Sequence, residues 1–298
     1  MTGIHLLFEG PNMGVETRPE GHGECHMKPI VVKIGGSTLG SHDTTLEDLV
    51  ELQQQGMTVV VVHGGGQEVS DWLARLGIST SFVNGLRVTD VETLKVVAAV
   101  LGGLINKELV VAVQALGGRA IGLSGADGNL LWASPKNSEL GYTGEIVKVD
   151  PEPLRLLLQA GYIPVVAPIS IGLAEGEGAT LLNVNGDIAA GEIAAALGAE
   201  RLIFLTDVDG IHEESGNVIP KLSLSEAKRM LASGAASGGM IPKIEASIKA
   251  LATVPVVRII DGRMPHALLN VIASSDIPRL SPEQAPQSQF GGTTIVPD

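Results

Sequence analysis

Cysteine occurs once in this chain of 298 residues, at Cys25, so there is no internal disulfide framework and a reducing, cytoplasmic setting is the simplest compartment. Aromatic residues make up only 3% of the chain, which leaves few platforms on which nucleic-acid bases could stack. Positive charge is scarce as well. Twenty Lys and Arg residues face 33 Asp and Glu residues, a formal net charge of -13. That balance repels polyanions and acidic membrane surfaces, so neither nucleic acid nor a membrane is expected as a partner. No apolar run is read as approaching the roughly 18 residues that cross a bilayer. The opening MTGIHLLFEG has no basic region and meets Glu9 and Pro11 early, unlike a secretory signal. Four common motifs are missing: GxxxxGK(S/T), GxGxxG, HExxH and CxxC. Their absence takes support from the P-loop, dinucleotide, zincin and redox readings. GLSGADG approaches a nucleophile elbow at Ser124, but Ala126 stands where that elbow needs glycine.

What is present is a hydrophobic, glycine-rich chain, 44% apolar with 38 glycines, which suits many tight strand-to-helix turns packed with Val, Ile, Leu and Ala. Residues 1–28 carry no apolar periodicity and read as a flexible extension, with Met27 as an alternative start. The cluster His22, Cys25, His26 fits no closed four-ligand metal site. From Pro29 the pattern turns regular. PIVVKIGG reads as a buried strand, Thr44 to Gln55 as a helix and TVVVVHGGG as a second strand, together a βαβ unit. Further along come a long helix over Asp90–Leu116, a strand AIGLSG, hairpin strands around LLWAS and EIVKV, a helix at Pro153–Gln159 and a strand YIPVVAPI. A glycine-rich loop at 172–178 precedes helix DIAAGEIAAALGA and strand RLIFLTDV. SEAKRMLAS and IPKIEASIKALA read as helices, VVRIID as a strand, PHALLNVIAS as a helix and TTIV as a final strand, after a stretch rich in Pro, Gln and Ser at 278–289. Strands apolar on both faces require helices on both sides. The expected class is therefore α/β, an open, mainly parallel sheet sandwiched by helices, in two lobes.

Two glycine clusters, Gly35-Gly36 and Gly64-Gly65-Gly66, fall at the C-terminal ends of predicted strands just before helices. Ligands of open α/β sheets bind there, and backbone N–H groups at helix starts favour anionic oxygens. Lys33 lies on an otherwise apolar strand, where it either snorkels to solvent or meets an anion at the strand end. Lys243 stands just inside a helix after Gly239 and Pro242, either a surface lysine or a second cation for the same phosphoryl group. NVNGD sets Asn183, Asn185 and Asp187 before a helix, Asp187 being an N-cap or the ion-pair partner that orients the lysines. Asp207 and Asp209, in LTDVDG, either meet a nucleotide and its Mg2+ or make an Asx-turn. Arg87, beside Asn84 and Gly85, either clamps a carboxylate or pairs with Asp90.

The ordered set VVKIGGS, VVHGGGQEVSDWL, FVNGLRVTD, GLSGADG, LLNVNGD, LIFLTDVDGI, GGMIPKIEA, IIDGR and GTTIV resembles the N-acetylglutamate kinases of the amino acid kinase family, from about Pro29 to Arg263 and again in the last strand. The resemblance implies that ATP, with Mg2+ bridging its phosphates, phosphorylates the side-chain carboxylate of N-acetyl-L-glutamate to an acyl phosphate, the second step of arginine biosynthesis. It implies that Lys33 and Lys243 stabilise the transferring group and Asp187 organises them. Gly64, Gly65, Arg87, Asn183 and Asn185 would hold the acid. Gly35, Gly36, the segment Thr206, Asp207, Val208, Asp209, Gly210, Ile211, and Ser237, Gly239 and Met240 would line the nucleotide. On this reading residues 29–185 form the acyl-substrate and dimerisation lobe and 186–298 the nucleotide lobe. The alternatives are a carrier-protein-linked aminoadipate or glutamate kinase and a catalytically silent regulatory subunit. Arginine-sensitive members resemble one another in an N-terminal helix that joins dimers into hexamers and in an acidic residue where this chain has Val271. Residues 1–28 suit such a helix poorly, so a homodimer is expected, and the features of the arginine-sensitive members look absent.

Overall fold

A computed structural model describes residues 28–35, 44–83, 85–174, 178–213, 215–236, 238–273 and 291–298. The extension with His22, Cys25 and His26, the stretch at 278–289, and Gly36, Asn84 and Ser237 lie outside the described residues. In chain order the elements are β1 (Ile30–Ile34), α1 (Thr45–Gln54), β2 (Val59–His63), α2 (Gly66–Arg75), β3 (Phe82–Val83), β4 (Leu86–Arg87), α3 (Val91–Val97), a π-helical stretch (Ala98–Ile105), α4 (Asn106–Ala115), β5 (Ala120–Ser124), β6 (Leu131–Pro135) and β7 (Thr143–Val149). They continue with α5 (Glu152–Gln159), β8 (Ile163–Ala167), β9 (Ile169–Ala174), β10 (Gly178–Val184), α6 (Gly186–Leu197), β11 (Arg201–Thr206), β12 (Lys221–Ser223), α7 (Leu224–Ala232), α8 (Met240–Ala250), β13 (Val257–Asp261), α9 (Ala267–Ala273) and β14 (Thr293–Val296).

β1, β2 and β11 are buried along their whole length, and their side chains alternate between two cores. Val31, Val60, Val62, Leu202 and Phe204 face one; Ile30, Val32, Val61, Ile203 and Leu205 face the other. Each core is closed by helices, Ala189 and Ile193 of α6 with Ile244 of α8 on the first, Leu49 of α1, Leu109 of α4 and Leu268 of α9 on the second. This is the doubly covered parallel sheet the apolar runs require. Its eight strands run in the order β12-β14-β13-β11-β1-β2-β8-β5. β1 is central, parallel to β2 on one side and β11 on the other, while β14 runs antiparallel to β13. Strands β10, β7, β6 and β9 close a small separate barrel.

Helix ends follow local chemistry. Asp90 caps α3, its carboxylate accepting from the Thr93 N–H at 2.7 Å. Ser223 and Glu226 form a capping box on α7. α6 ends on Gly198 in the left-handed conformation. α6 and α8 approach closely because Gly191 has no side chain: a Cβ there would lie 2.7 Å from the Ala246 carbonyl oxygen. Asp187 is one turn before Gly191 and Lys243 one turn before Ala246, so the contact also brings those two side chains together.

Three features depart from the sequence reading. The expected loop at 172–178 is largely strand: β9 and β10 pair antiparallel from Ile169↔Asn183 to Ala174↔Gly178. Gly172 is there because a Cβ would lie 2.5 Å from Leu182, so glycine marks close packing rather than a turn. The short strands β3, β4 and β12 were not anticipated. Finally, the helix Val91–Ala115 is, by length and composition alone, apolar enough to span a bilayer, an 18-residue stretch of it having a mean hydropathy of 1.9. That corrects the expectation that no such run exists. Its Val97, Leu101, Ile105, Leu109 and Val113 pack into the second core, which accounts for one apolar face of the helix.

Candidate active site

The C-terminal ends of β1, β2 and β11 lie side by side, and the residues that follow them build the site. Lys33, near the end of β1, is buried, and its Nζ stands 2.7 Å from Asp187 Oδ1. Lys243 Nζ donates to Asp187 Oδ2 at 3.1 Å and also reaches the Gly239 carbonyl at 3.3 Å. Their side chains are 9%, 12% and, for Asp187, 7% exposed, so neither lysine is a snorkelling or surface residue. Burial pushes the Asp187 carboxyl up, but the charges of Lys33 and Lys243 and their hydrogen bonds outweigh it and hold the group below its usual range. One carboxylate between two ammonium groups leaves a surplus positive charge in a dry pocket, the electrostatic condition for receiving a phosphoryl group.

The N-cap of α6 is Asn185, not Asp187. Its Oδ1 accepts from the N–H groups of Asp187 and Ile188 at 2.8 and 3.1 Å. Asp187 is thereby freed to face the lysines from the first turn.

Beyond β2 lies a cavity of about 180 Å3, bordered by Gly64, Gly65, Arg87, Thr143, Asn183 and Asn185. Gly65 holds φ of 143° against the π-helical stretch, where a Cβ would collide with Leu101 and Ile105; no other residue fits. As the first residues of α2 and its cap, Gly65 and Gly66 carry N–H groups that have no acceptor within the helix. Gly64 and Gly35 are tied into the sheet: their N–H groups donate to the Ile34 and Leu205 carbonyls at 2.9 and 3.1 Å.

Arg87 is buried and does not pair with Asp90. It donates to Thr80 Oγ1 at 2.6 Å and to the Gly66 carbonyl and Ser70 Oγ at 2.8 Å each, and its guanidinium stacks 4.6 Å from the Phe82 ring centroid. All of these partners are neutral, and burial lowers its pKa. A buried guanidinium bordering a cavity, with no counter-charge among the described residues, attracts a carboxylate.

On the opposite flank of β1, Thr206 is buried at the end of β11, while Asp207, Val208 and Asp209 are exposed and Gly210 and Ile211 turn back inward. Ile211 N–H donates to Thr293 Oγ1 at 2.8 Å. Asp209 accepts from His212 at 2.7 Å. Gly239 precedes α8, which begins at Met240. Thus the cavity-lining residues after β2 and the segment after β11 lie on the two sides of β1, which carries Lys33.

Sequence reasoning passed over His63, Asn106, Thr89 and Thr143. His63 is fully buried at the end of β2. Its Nδ1–H donates to the Gly64 carbonyl at 2.8 Å, leaving Nε2 to accept from Asn106 at 3.2 Å. Burial above all, with the nearby charges of Lys33 and Lys107, lowers its pKa to about 4 despite the Gly64 hydrogen bond. It is neutral at pH 7. The polar residue ending the apolar run VVVVH was the one signal that could have revealed it.

Surplus positive charge at the carboxyl edge of an open α/β sheet, without a P-loop, defines a phosphotransferase of the glycine-loop and paired-lysine type. The signature of the amino acid kinase family spans residues 28–261, and the chain belongs to that family. It is 45% identical over 249 residues to the acetylglutamate kinase of Dehalococcoides mccartyi, covering 83% of this chain and 92% of that protein. It is 47% identical over 244 residues to the acetylglutamate kinase of Cereibacter sphaeroides, with 80% and 82% covered. Among solved structures, smu.665 from Streptococcus mutans superimposes with a TM-score of 0.70 at 30% identity, over 78% of this chain and 94% of that one.

Proposed function

We propose that this protein transfers the γ-phosphoryl group of ATP to the side-chain carboxylate of N-acetyl-L-glutamate, the second step of arginine biosynthesis, in the cytoplasm. The observation that carries the reading is the Lys33–Asp187–Lys243 cluster beside a cavity closed by Arg87. In this reading a carboxylate oxygen of the acid attacks Pγ, the bond from Pγ to the bridging oxygen of ADP breaks, and ADP leaves with that electron pair. The nucleophile is already ionised, so no general base is needed, and Asp187, with its depressed pKa, is suited to hold the lysines rather than to accept a proton. Catalysis is then positioning plus charge neutralisation.

Arg87 holds the α-carboxylate of the acid and Asn183 the adjoining part of the same molecule, with Asn185 beside them, while Gly64 and Gly65 frame the reacting carboxylate. Gly35, Gly36, Thr206 to Ile211 and Ser237 to Met240 receive ATP. The halves 29–185 and 186–298 serve acid and nucleotide respectively. Among the described residues no three His, Cys, Asp or Glu side chains converge on a metal site, and Asp187 is committed to lysines. Mg2+ would come with ATP and neutralise charge on its phosphates, with Asp207 and Asp209 as the carboxylates at hand. The exposed Val111 on the long helix and Leu116 just past its end suit burial against a second copy, and Val271, buried in α9, offers no carboxylate. The first fits a homodimer; the second leaves this chain without a feature of the arginine-sensitive members. Purified protein with MgATP should release ADP with N-acetyl-L-glutamate and not with glutamate, aspartate or α-aminoadipate; preference for any of these would overturn the assignment.

A further inference from the structure

Three chain segments meet at the substrate cavity through two buried hydroxyls that the sequence reading did not single out. Thr89 is fully buried and Thr143 is 3% exposed. Asn183 Nδ2 lies 3.1 Å from Thr89 Oγ1, Thr89 Oγ1 lies 2.9 Å from Thr143 Oγ1, and Thr143 Oγ1 lies 2.6 Å from the Arg87 carbonyl oxygen. Thr89 Oγ1 is also 3.1 Å from that carbonyl. The carbonyl can only accept, so the 2.6 Å contact takes the Thr143 proton. Thr89 must then donate to Thr143 or to the same carbonyl, and its oxygen accepts from Asn183. Turning the Asn183 amide over would use the Thr89 proton on Oδ1 and leave the Thr89–Thr143 contact without a hydrogen. Only the orientation of Asn183 that sends Nδ2 to Thr89 supplies a proton to each of the three successive links Asn183–Thr89–Thr143–Arg87, and it leaves Oδ1 for the cavity.

The backbone of this region is secured without the hydroxyls. Thr89 N–H donates to the Leu140 carbonyl at 3.1 Å, Tyr142 N–H to the Thr89 carbonyl at 2.7 Å, and Asn183 N–H to the Tyr142 carbonyl at 2.9 Å. The hydroxyl chain is therefore left to orient Asn183 and to hold the Arg87 carbonyl.

We propose that Thr89 and Thr143 are positioning residues for the phosphoryl acceptor: they lock the Asn183 amide so that its oxygen accepts from the amide N–H of an N-acylated amino acid, while the same chain pins the strand carrying Arg87. The proposal rests on the reading of the cavity as the site of the acid. It distinguishes an acylated nitrogen, which offers one planar N–H, from an ester or keto analogue that offers none, because a site acceptor left buried and unpaired rejects such a ligand.

The test compares Thr89→Val and Thr143→Val, which keep shape and remove the hydroxyl, with Thr89→Ser and Thr143→Ser, which keep it. The valine variants should raise KM for N-acetyl-L-glutamate by about tenfold, one lost hydrogen bond to a substrate-reading group, with KM for ATP unchanged. The serine variants should stay within about threefold of the parent protein. Equal shifts in both KM values, or an unchanged acid KM in folded valine variants, overturns the proposal. A second measurement needs no turnover: solvent exchange of the Asn183 side-chain amide protons in the free protein, assigned by their loss in Asn183→Ala. Exchange should be slow in the parent and serine proteins and at least tenfold faster in Thr89→Val. Equal exchange in all of them refutes the hydroxyl lock, whereas slow parent exchange with no activity on N-acetyl-L-glutamate keeps the lock and refutes the assigned substrate.

Discussion

Replacing Asp187 by Asn removes the one anion between two buried ammonium groups while keeping the volume of the side chain. At 2.7 and 3.1 Å each pair is worth roughly 5–6 kcal/mol of Coulomb attraction at an effective dielectric of about 20. Most of that offsets the desolvation of three charges. What the substitution exposes is the uncompensated remainder, and removing one partner of a buried pair costs about 3–5 kcal/mol. At roughly 3 °C per kcal/mol for a chain of this size, Tm should fall by about 10 °C. The two lysines should also spread apart, and kcat should drop by at least about a hundredfold, the scale of losing preorganised charge at a transition state. Inorganic phosphate should raise the Tm of Asp187→Asn more than that of the parent protein, because it supplies the missing negative charge. The parent carries a pH signature. A carboxyl whose folded pKa lies below its ordinary 3.8 stabilises the fold above that value and loses the contribution as pH falls through the lower, folded pKa. That acid-sensitive component should be missing from the variant. Calorimetric melting and steady-state kinetics on the same preparation provide the assay. A variant melting within about 2 °C of the parent with kcat within threefold would refute the idea that Asp187 holds the lysines.

Lys33→Ala and Lys243→Ala should each cut kcat by about a hundredfold or more with a smaller effect on KM for ATP; near-normal turnover in either removes that lysine from the mechanism. Arg87→Ala should raise KM for the acid by roughly thirty- to a hundredfold, the loss of a charged hydrogen-bonded contact of about 2–3 kcal/mol, and leave KM for ATP in place. Equal weakening of both would place Arg87 outside the acid site. His63, with an ordinary pKa of 6.5 lowered to about 4, should destabilise the fold as pH falls between those values, because the unfolded chain binds the proton first; the total is about 3 kcal/mol. Urea titrations of the parent and His63→Asn across that range should show the slope in the parent alone.

The sheet and its helices could be read from residues because both signals are local. IVVKI and VVVVH are too uniformly apolar for anything but covered strands, and Asp90 announces the cap of the helix that follows. The barrel strands were less legible, since Gly172 and Gly144 hide the alternation and make sense only once Leu182 is seen packed against them. The long apolar helix illustrates the converse: its stripe of Leu101, Ile105 and Leu109 faces a core that only the fold supplies. Of the site, Lys33, Asp187 and Lys243 stood out as charges at strand and helix ends. That they meet depends on the α6–α8 approach at Gly191 and Ala246, which no spacing along the chain encodes. Of the two roles open to Asp187 by spacing, the cap falls to Asn185 instead, because capping is decided by backbone conformation at one residue. Thr89 and Thr143 are far apart in sequence and carry no pattern of their own, so their partnership had to wait for the folded chain.

The central claim is that a carboxylate of N-acetyl-L-glutamate receives phosphate directly on this site. Incubating the purified protein with MgATP, N-acetyl-L-glutamate and hydroxylamine tests it most directly, with hydroxamate and ADP measured together. Equal amounts of the two, abolished in Lys33→Ala and Lys243→Ala, are the predicted result; ADP released without hydroxamate, or no dependence on the acid, would contradict it.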